Sequence, residues 1–333
     1  VRAFWLAVAL LWLAIGQAQA GRLEQVKRRG YLSCGVFPGV AGFATVAKDG
    51  RYSGFDTDIC RAVAAAIFGT ADTVKFIDVA SVDAFRRNPA LDLVVRRLTW
   101  TVTRENPLGL IFGPIVYYDG QGFLVPKSAG VTSAKQLAGK QICVEQGDGW
   151  GGNLRRYSQT NVLDLKSLYI TGRAEGEARF FGGHCAAYSA DKTMLGAIRA
   201  DAEQPADYDI LPEQISKEPL APLMRQGDDR FFQVVRWSIF AMIDAEELGV
   251  TSKNIAEMRG SSDPDVKSLL GVEPGIGKAL GLRDGWAMNI IGSVGNYGEL
   301  FTRSIGPGSA IRLDRGLNRL WTDGGLIYAP PVR

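Results

Sequence analysis

Histidine is nearly absent from this sequence and cysteine is sparse. His184 stands alone, and Cys34, Cys60, Cys143 and Cys185 are scattered through 333 residues. One imidazole and no close pair of cysteines leave no zinc-site spacing. No G-x-S-x-G seats a serine nucleophile, and no Gly-Lys-Ser/Thr closes a phosphate loop. Charge of one sign is lacking too: 38 Lys and Arg face 35 Asp and Glu, a net of +3. No dense basic tract carries interleaved aromatics, so a nucleic-acid partner is not expected. Past residue 20 no apolar run is long enough to span a membrane. What is present is an apolar fraction of 46%, ample for packed cores, in a chain long enough for two lobes.

The first twenty residues differ from the rest. Arg2 precedes an apolar run from Phe4 to Ile15, and Ala18-Gln19-Ala20 follows as a small-x-small site. This layout reads as a secretory signal over 1–20, cleaved before Gly21, with no cysteine there to carry a lipid. Export makes disulfides permissible. Four cysteines allow three pairings. The pairs Cys34–Cys60 and Cys143–Cys185 keep each bridge within one half of the chain.

Strand and helix patterns then alternate. Leu32–Val36, Val74–Val79 and Leu91–Val95 read as strands. Asp56–Phe68 reads as a helix with Asp56 as N-cap and Gly69 as stop. The pattern restarts near residue 123, with strands at Phe123–Val125, Gln141–Val144, Cys185–Tyr188 and Tyr208–Leu211. Helices are expected from Asn153 and over Phe231–Glu247. Such alternation predicts α/β lobes with mostly parallel sheets. The expected division is lobe 1 over 21–123, lobe 2 over 124–221, a return to lobe 1 over 222–259, and an extension over 260–333 packed on lobe 1. Crossings between lobes are expected near 121–126 and 218–225.

Strand ends in such sheets open into the binding crevice. The stretch Arg96-Arg97-Leu98-Thr99-Trp100-Thr101-Val102-Thr103-Arg104 sits at one. Arg104 offers a donor fork suited to a carboxylate, with Thr99 as a hydroxyl donor beside it. The alternative is a solvated basic loop. Arg97 either reads a second anionic group or pairs with a neighbouring acid such as Asp92. Gly147-Asp148-Gly149-Trp150-Gly151-Gly152 permits close backbone approach to an anion at a helix start. It reads equally as a tight loop with Trp150 plugging the core. Asp191 either meets a ligand ammonium or caps the helix that follows. Glu145 and Asp148 are the fair candidates for a catalytic acid, and nothing orients them.

Several stretches together carry a family likeness. They include Tyr52-Ser53-Gly54-Phe55-Asp56-Thr57-Asp58, Thr99-Trp100-Thr101, Tyr117-Tyr118-Asp119-Gly120-Gln121-Gly122-Phe123, Ile215-Ser216-Lys217-Glu218-Pro219-Leu220 and Leu320-Trp321-Thr322-Asp323-Gly324-Gly325. The sequence resembles the periplasmic amino-acid-binding proteins of ABC importers, family 3 of the bacterial solute-binding proteins, in their general L-amino-acid-binding branch. The resemblance implies a two-lobed Venus-flytrap fold, periplasmic location, no cofactor and docking of a monomer on an inner-membrane ABC permease. A lyase or dehydratase on the same scaffold, or a ligand-presenting sensor partner, is the rival reading. The resemblance also implies that Arg104 clamps an α-carboxylate with Thr99 beside it, that Asp191 holds the α-amino group, and that Phe43 lines the mouth of the first lobe. It favours the pairing of cysteines given above. This chain departs from the branch at Val95, Arg97 and Leu98, where Ser, Asn and Thr are usual. It departs again at Asp148, Gly149 and Trp150, where a run of threonines is usual.

Overall fold

The computed structural model describes residues 21–333, apart from 106, 107 and 148. The expected signal over 1–20 and the expected site residue Asp148 therefore lie outside the described residues.

The chain opens with helix α1 (Arg22–Arg29), strand β1 (Leu32–Val36) and a short hairpin, β2 (Thr45–Val46) with β3 (Tyr52–Ser53). Helix α2 (Phe55–Phe68) follows, then β4 (Val74–Asp78), α3 (Val82–Arg87), β5 (Leu93–Val94), α4 (Val102–Glu105) and β6 (Leu110–Phe112). Helix α2 begins at Gly54, not at an aspartate cap. Gly54 has φ +126, and a Cβ there would lie 2.4 Å from the Phe43 carbonyl oxygen, so only glycine fits this junction. The expected cap, Asp56, is instead buried inside the first turn.

Strand β7 (Tyr117–Asp119) leads out of this lobe and β8 (Gln121–Pro126) opens the second. Next come β9 (Gln141–Glu145), α5 (Trp150–Asn161), β10 (Lys166–Ile170), α6 (Arg173–Phe181), β11 (Ala187–Asp191), α7 (Lys192–Asp201) and β12 (Tyr208–Ile210). The return runs through β13 (Glu218–Leu220) and β14 (Leu223–Arg225) into the long helix α8 (Asp229–Glu247). Asp228 starts α8 by accepting the Phe231 N–H at 2.8 Å. Five short helices close the chain: α9 (Ile255–Met258), α10 (Pro264–Leu269), α11 (Ile276–Ala279), α12 (Trp286–Val294) and α13 (Tyr297–Ser304).

Two five-stranded sheets result, ordered β4-β1-β5-β14-β6 and β10-β9-β11-β8-β12. Both are mixed rather than mostly parallel. In the first, β14 runs antiparallel to β5 and β6; in the second, β8 runs antiparallel to β11 and β12. The crossing strands β7 and β13 form a two-stranded sheet, Glu218 opposite Asp119 and Leu220 opposite Tyr117, and Thr99 bridges to Leu220 on its outer edge. The two lobes are thus joined by a narrow antiparallel ribbon, a natural hinge.

Each sheet has its own core. Leu32, Phe55, Ile59, Val235, Trp286 and Phe301 belong to the first; Phe123, Ile142, Leu154, Tyr188 and Leu195 to the second. Disulfides join Cys34 to Cys60 and Cys143 to Cys185, so each bridge lies inside one lobe. Helix α12 packs on α2 and α8. The segment after α13 does more. It crosses to lobe 2, where the Arg199 guanidinium donates to the carbonyls of Ile311 and Arg312 at 2.7 and 3.1 Å. Gly196 lets it close in, since a Cβ there would lie 2.5 Å from Ile311. The same segment grips the hinge: the Asn318 side chain accepts from the Tyr118 N–H at 2.6 Å and donates to the Tyr118 carbonyl at 3.1 Å. Arg315 pairs with Glu246 on α8 and secures its other end to lobe 1.

Candidate functional site

The arginine-bearing stretch leaves β5 and runs along the second crossing strand. Its Leu98 carbonyl accepts the Ala221 N–H at 3.1 Å, and the Trp100 N–H donates to Pro219 at 2.8 Å. Trp100 bolts the stretch down by stacking on Phe112 and donating its indole N–H to Glu105 at 2.9 Å. The loop is therefore fixed against the hinge and is not a free solvated segment.

Within it, Arg104 donates to the Thr99 carbonyl at 3.0 Å, which fixes the guanidinium and leaves most of its donors unused among the described residues. The Thr99 hydroxyl is not the free donor expected from sequence. It donates to the Glu218 carboxylate at 2.6 Å, and the Ser216 hydroxyl donates to the same group at 2.8 Å.

Arg97 adopts φ 54, and its guanidinium lies 5.5 Å above the Phe43 ring. Phe43 is fully buried against Phe55 and Tyr117, so it floors a recess rather than lining an open mouth. That recess is walled by Asp56, Val95, Arg97 and Tyr117 and is too tight to admit a water molecule. The possible pairing of Arg97 with Asp92 is not found. Asp92 is buried under α1, where it takes the Ser33 N–H at 2.7 Å and pairs with Arg29 and Arg22.

The opposite wall comes from lobe 2. Asp191 ends β11 rather than following it, and although it stands at the N-cap position of α7 its side chain caps nothing there. Its carboxylate instead accepts the Trp150 indole N–H at 2.9 Å. Trp150 is the first residue of α5, which starts three residues before the position expected, and it is nearly buried. Gln121, fully buried at the start of β8, donates to the Trp150 carbonyl at 3.1 Å and ties the indole to the hinge. Gly149 is exposed at the N-cap with φ 79; it supplies the turn, and no described contact brings it to Asp191.

Burial pushes the Asp191 carboxyl up to about 8, helped by the charges of Asp119 and Glu218 and opposed by Trp150 and Arg97. Burial likewise raises Asp56 to about 7 against the pull of Arg97 and Arg96. It raises Asp119 to about 6, although the Thr193 hydroxyl and the Gly120 N–H at 2.8 Å hold that group's charge. The charge of Arg97 thus reaches the buried Asp56 and Asp119 and the partly buried Asp191, one from each side of the hinge and one on it. No hydrogen bond or ion pair joins Arg104 to Asp191 among the described residues.

Three members of this constellation escape a sequence reading. Asp56 looks like a helix cap because a helix begins beside it. Asp119 and Glu218 stand in stretches that carry the family likeness, yet nothing local marks them as facing a crevice; only the pairing of β7 with β13 brings them together. Among the described residues no group of three or more His, Cys, Asp or Glu could hold a metal ion, and no helix is long and apolar enough to cross a membrane.

Residues 32–255 match the family of bacterial extracellular solute-binding proteins, family 3. The chain belongs to that family. The likeness extends over almost the whole chain. It is 43% identical to the general L-amino acid-binding periplasmic protein AapJ of Rhizobium johnstonii, covering 98% of this chain and 97% of that one. It is 44% identical to the glutamate/glutamine/aspartate/asparagine-binding protein BztA of Rhodobacter capsulatus, covering 99% of each. A solved periplasmic binding protein of an ABC transporter from Brucella ovis, with glutathione bound, superimposes with a TM-score of 0.86 at 44% identity over 95% of this chain and all of that one. These matches place the family member in the general L-amino-acid-binding branch and fix the two-lobed fold with its C-terminal extension.

Proposed function

We propose that the crevice clamps a zwitterion, with its ammonium at Asp191 and its α-carboxylate at Arg104. The protein is the periplasmic substrate-binding component of an ABC importer and takes an amino-acid-like small molecule. The observation that carries the site assignment is the setting of Asp191. A partly buried carboxylate beside two further acids and braced by an indole N–H is completed by a cation. Arg104, held by Thr99 with donors to spare, supplies the opposite charge from the other lobe. Closing the hinge excludes water and strengthens both contacts. The names of the relatives support this reading, since AapJ and BztA are described as binding free amino acids. The loaded monomer docks on an inner-membrane permease, and residues 1–20 are removed on export. Binding without turnover is the expected behaviour.

The test is a melting-temperature series against amino acids, opines and carboxylates, with product analysis of each mixture. A saturable rise with unchanged ligand supports binding. Conversion of any ligand would replace this reading with the scaffold's enzymatic variant. Asp191→Asn and Arg104→Ala should each abolish the rise.

A further inference from the structure

Arg97 occupies a conformation that arginine seldom takes. Its φ of 54 lies in the left-handed region, which Asn and Asp enter several-fold more readily than other side chains. An outlier of this kind on a ligand-facing wall is a reason to look for function there. The neighbouring backbone explains its persistence: the Val95 N–H is fixed on Gly35 and the Leu98 carbonyl on Ala221, so the residue between has little freedom.

The side chain held this way has unused capacity. It lies over Phe43 and makes no hydrogen bond or ion pair among the described residues. The acids that feel its charge have other partners or sit beyond ion-pair reach. Asp119 takes the Thr193 hydroxyl and the Gly120 N–H, while Asp191 takes the Trp150 indole and, in the crevice reading, the ligand ammonium. Asp56 shares the recess with Arg97, at more than ion-pair distance. A planar fork of five donors therefore stands over the recess without an acceptor among the described residues.

We propose that Arg97 is the specificity-determining residue of this crevice and that the ligand is a zwitterion carrying a second carboxylate, which the Arg97 guanidinium grips. The inference rests on the crevice reading above, in which Asp191 and Arg104 take the ammonium and the α-carboxylate. Those two groups leave Arg97 for whatever the side chain of the ligand brings. An apolar side chain would shut the guanidinium away from water with no acceptor, and an amide offers only a neutral carbonyl oxygen whose gain roughly offsets the cost of desolvating the cation. A carboxylate removes that penalty and gains a charge-assisted pair, stacked on Phe43.

The experiment is calorimetric titration of the full chain with L-glutamate, L-glutamine, L-aspartate and L-asparagine, on wild type and on Arg97→Asn. Asparagine tolerates the left-handed turn, so the variant keeps the loop. Wild type should bind each acid at least about tenfold tighter than its amide, the scale of one charged hydrogen bond. The variant should lose that preference while its affinity for the amides stays within about threefold, a shift too small for a lost charged contact. Equal binding of acid and amide by wild type overturns the proposal without any variant. A parallel loss for acids and amides in Arg97→Asn overturns it too, and makes Arg97 a counter-ion for Asp56 and Asp119. Silence from all four probes overturns the crevice reading itself, and this proposal with it.

Discussion

The Trp150 indole N–H lies 2.9 Å from a carboxylate oxygen of Asp191, so the first residue of α5 holds the last residue of β11. This bond does what neither residue's sequence context announces. It gives a buried acid one permanent donor while leaving room for a second, cationic partner.

Replacing Trp150 with Phe keeps the ring and removes the donor. The Asp191 carboxyl then loses one of the interactions that favour its charged form and titrates higher still. Ligand affinity at pH 7 should fall about tenfold, the scale of one hydrogen bond to a charged group, and recover in part toward about pH 8.5, where more of the carboxyl is ionised and the ligand ammonium still holds its proton. Titration calorimetry at the two pH values checks this. Unchanged affinity at pH 7 would mean that the indole is only packing.

The acids make the ligand-free fold pH-sensitive in a defined direction. Asp191 is held at about 8, Asp56 and Asp244 at about 7, and Asp119 at about 6. Each binds its proton more tightly when folded than when unfolded, where carboxyls titrate near about 4. Their contribution is therefore complete below about pH 4 and is lost as pH rises through about 8. The melting temperature of the empty protein should fall between pH 5 and pH 8. Ligand binding should release protons and tighten over the same interval, because the ammonium stabilises an ionised Asp191. The groups facing that carboxyl, Asp119, Glu218, Trp150 and Arg97, all act on the same titration. Asp191→Asn should flatten the upper part of the stability profile. A flat profile in wild type from pH 5 to 8 would contradict the burial described.

Much of this was legible in the sequence. The alternation of apolar runs with turn residues marked β1, β4, β5, β8, β9, β11 and β12 but missed β6, β10 and the crossing and return strands β7, β13 and β14, and each lobe's cysteines stand close enough in the chain to suggest their pairing. Arg104, Thr99 and Asp191 stood out as candidates from their chemistry at strand ends and from the family likeness. The rest was not, for a physical reason. Asp56 sits at a helix start, where local chemistry accounts for an aspartate; its burial comes from Phe43, Phe55 and Tyr117, which are brought together only by the fold. Thr99 looks like a free hydroxyl until Glu218 arrives from 119 residues away. The antiparallel course of β8 within the second sheet is a matter of topology, and single-strand patterns do not encode it.

The disulfides should stabilise each lobe separately. The bridged cysteines are 26 and 42 residues apart, which on the chain-entropy model corresponds to about 3.5 and about 4 kcal/mol. Thermal unfolding with and without reductant should show a large drop, and Cys143→Ser/Cys185→Ser should lower melting while leaving the affinity of the folded protein within about twofold, since neither sulfur lines the crevice. A selective loss of affinity in that variant would place the bridge in the hinge mechanism.

Asn318 braces the hinge from the face away from the arginine wall. Asn318→Ala leaves the Tyr118 N–H and carbonyl without their partners at a position that is 2% exposed. Unfolding in urea should register a loss of about 1–3 kcal/mol per unsatisfied group, an upper sum that water entry will reduce. Ligand affinity should change as well, although the residue touches no ligand-facing group, because the strand that bends is the one released. Lost stability with unaltered affinity would assign Asn318 to packing alone.

The nesting of one lobe inside the other sets an order of assembly. All five strands of the second sheet lie between residues 121 and 210, one unbroken stretch, whereas the first sheet waits for β14 at 223–225 and for the helices beyond it. A chain made from its N-terminus and delivered in that direction can finish the inserted half while the enclosing half is still an open sheet with exposed apolar faces. The segment at the N-terminal end is thus among the last to find its complete surroundings, and a chaperone that meets this protein in transit will meet it there.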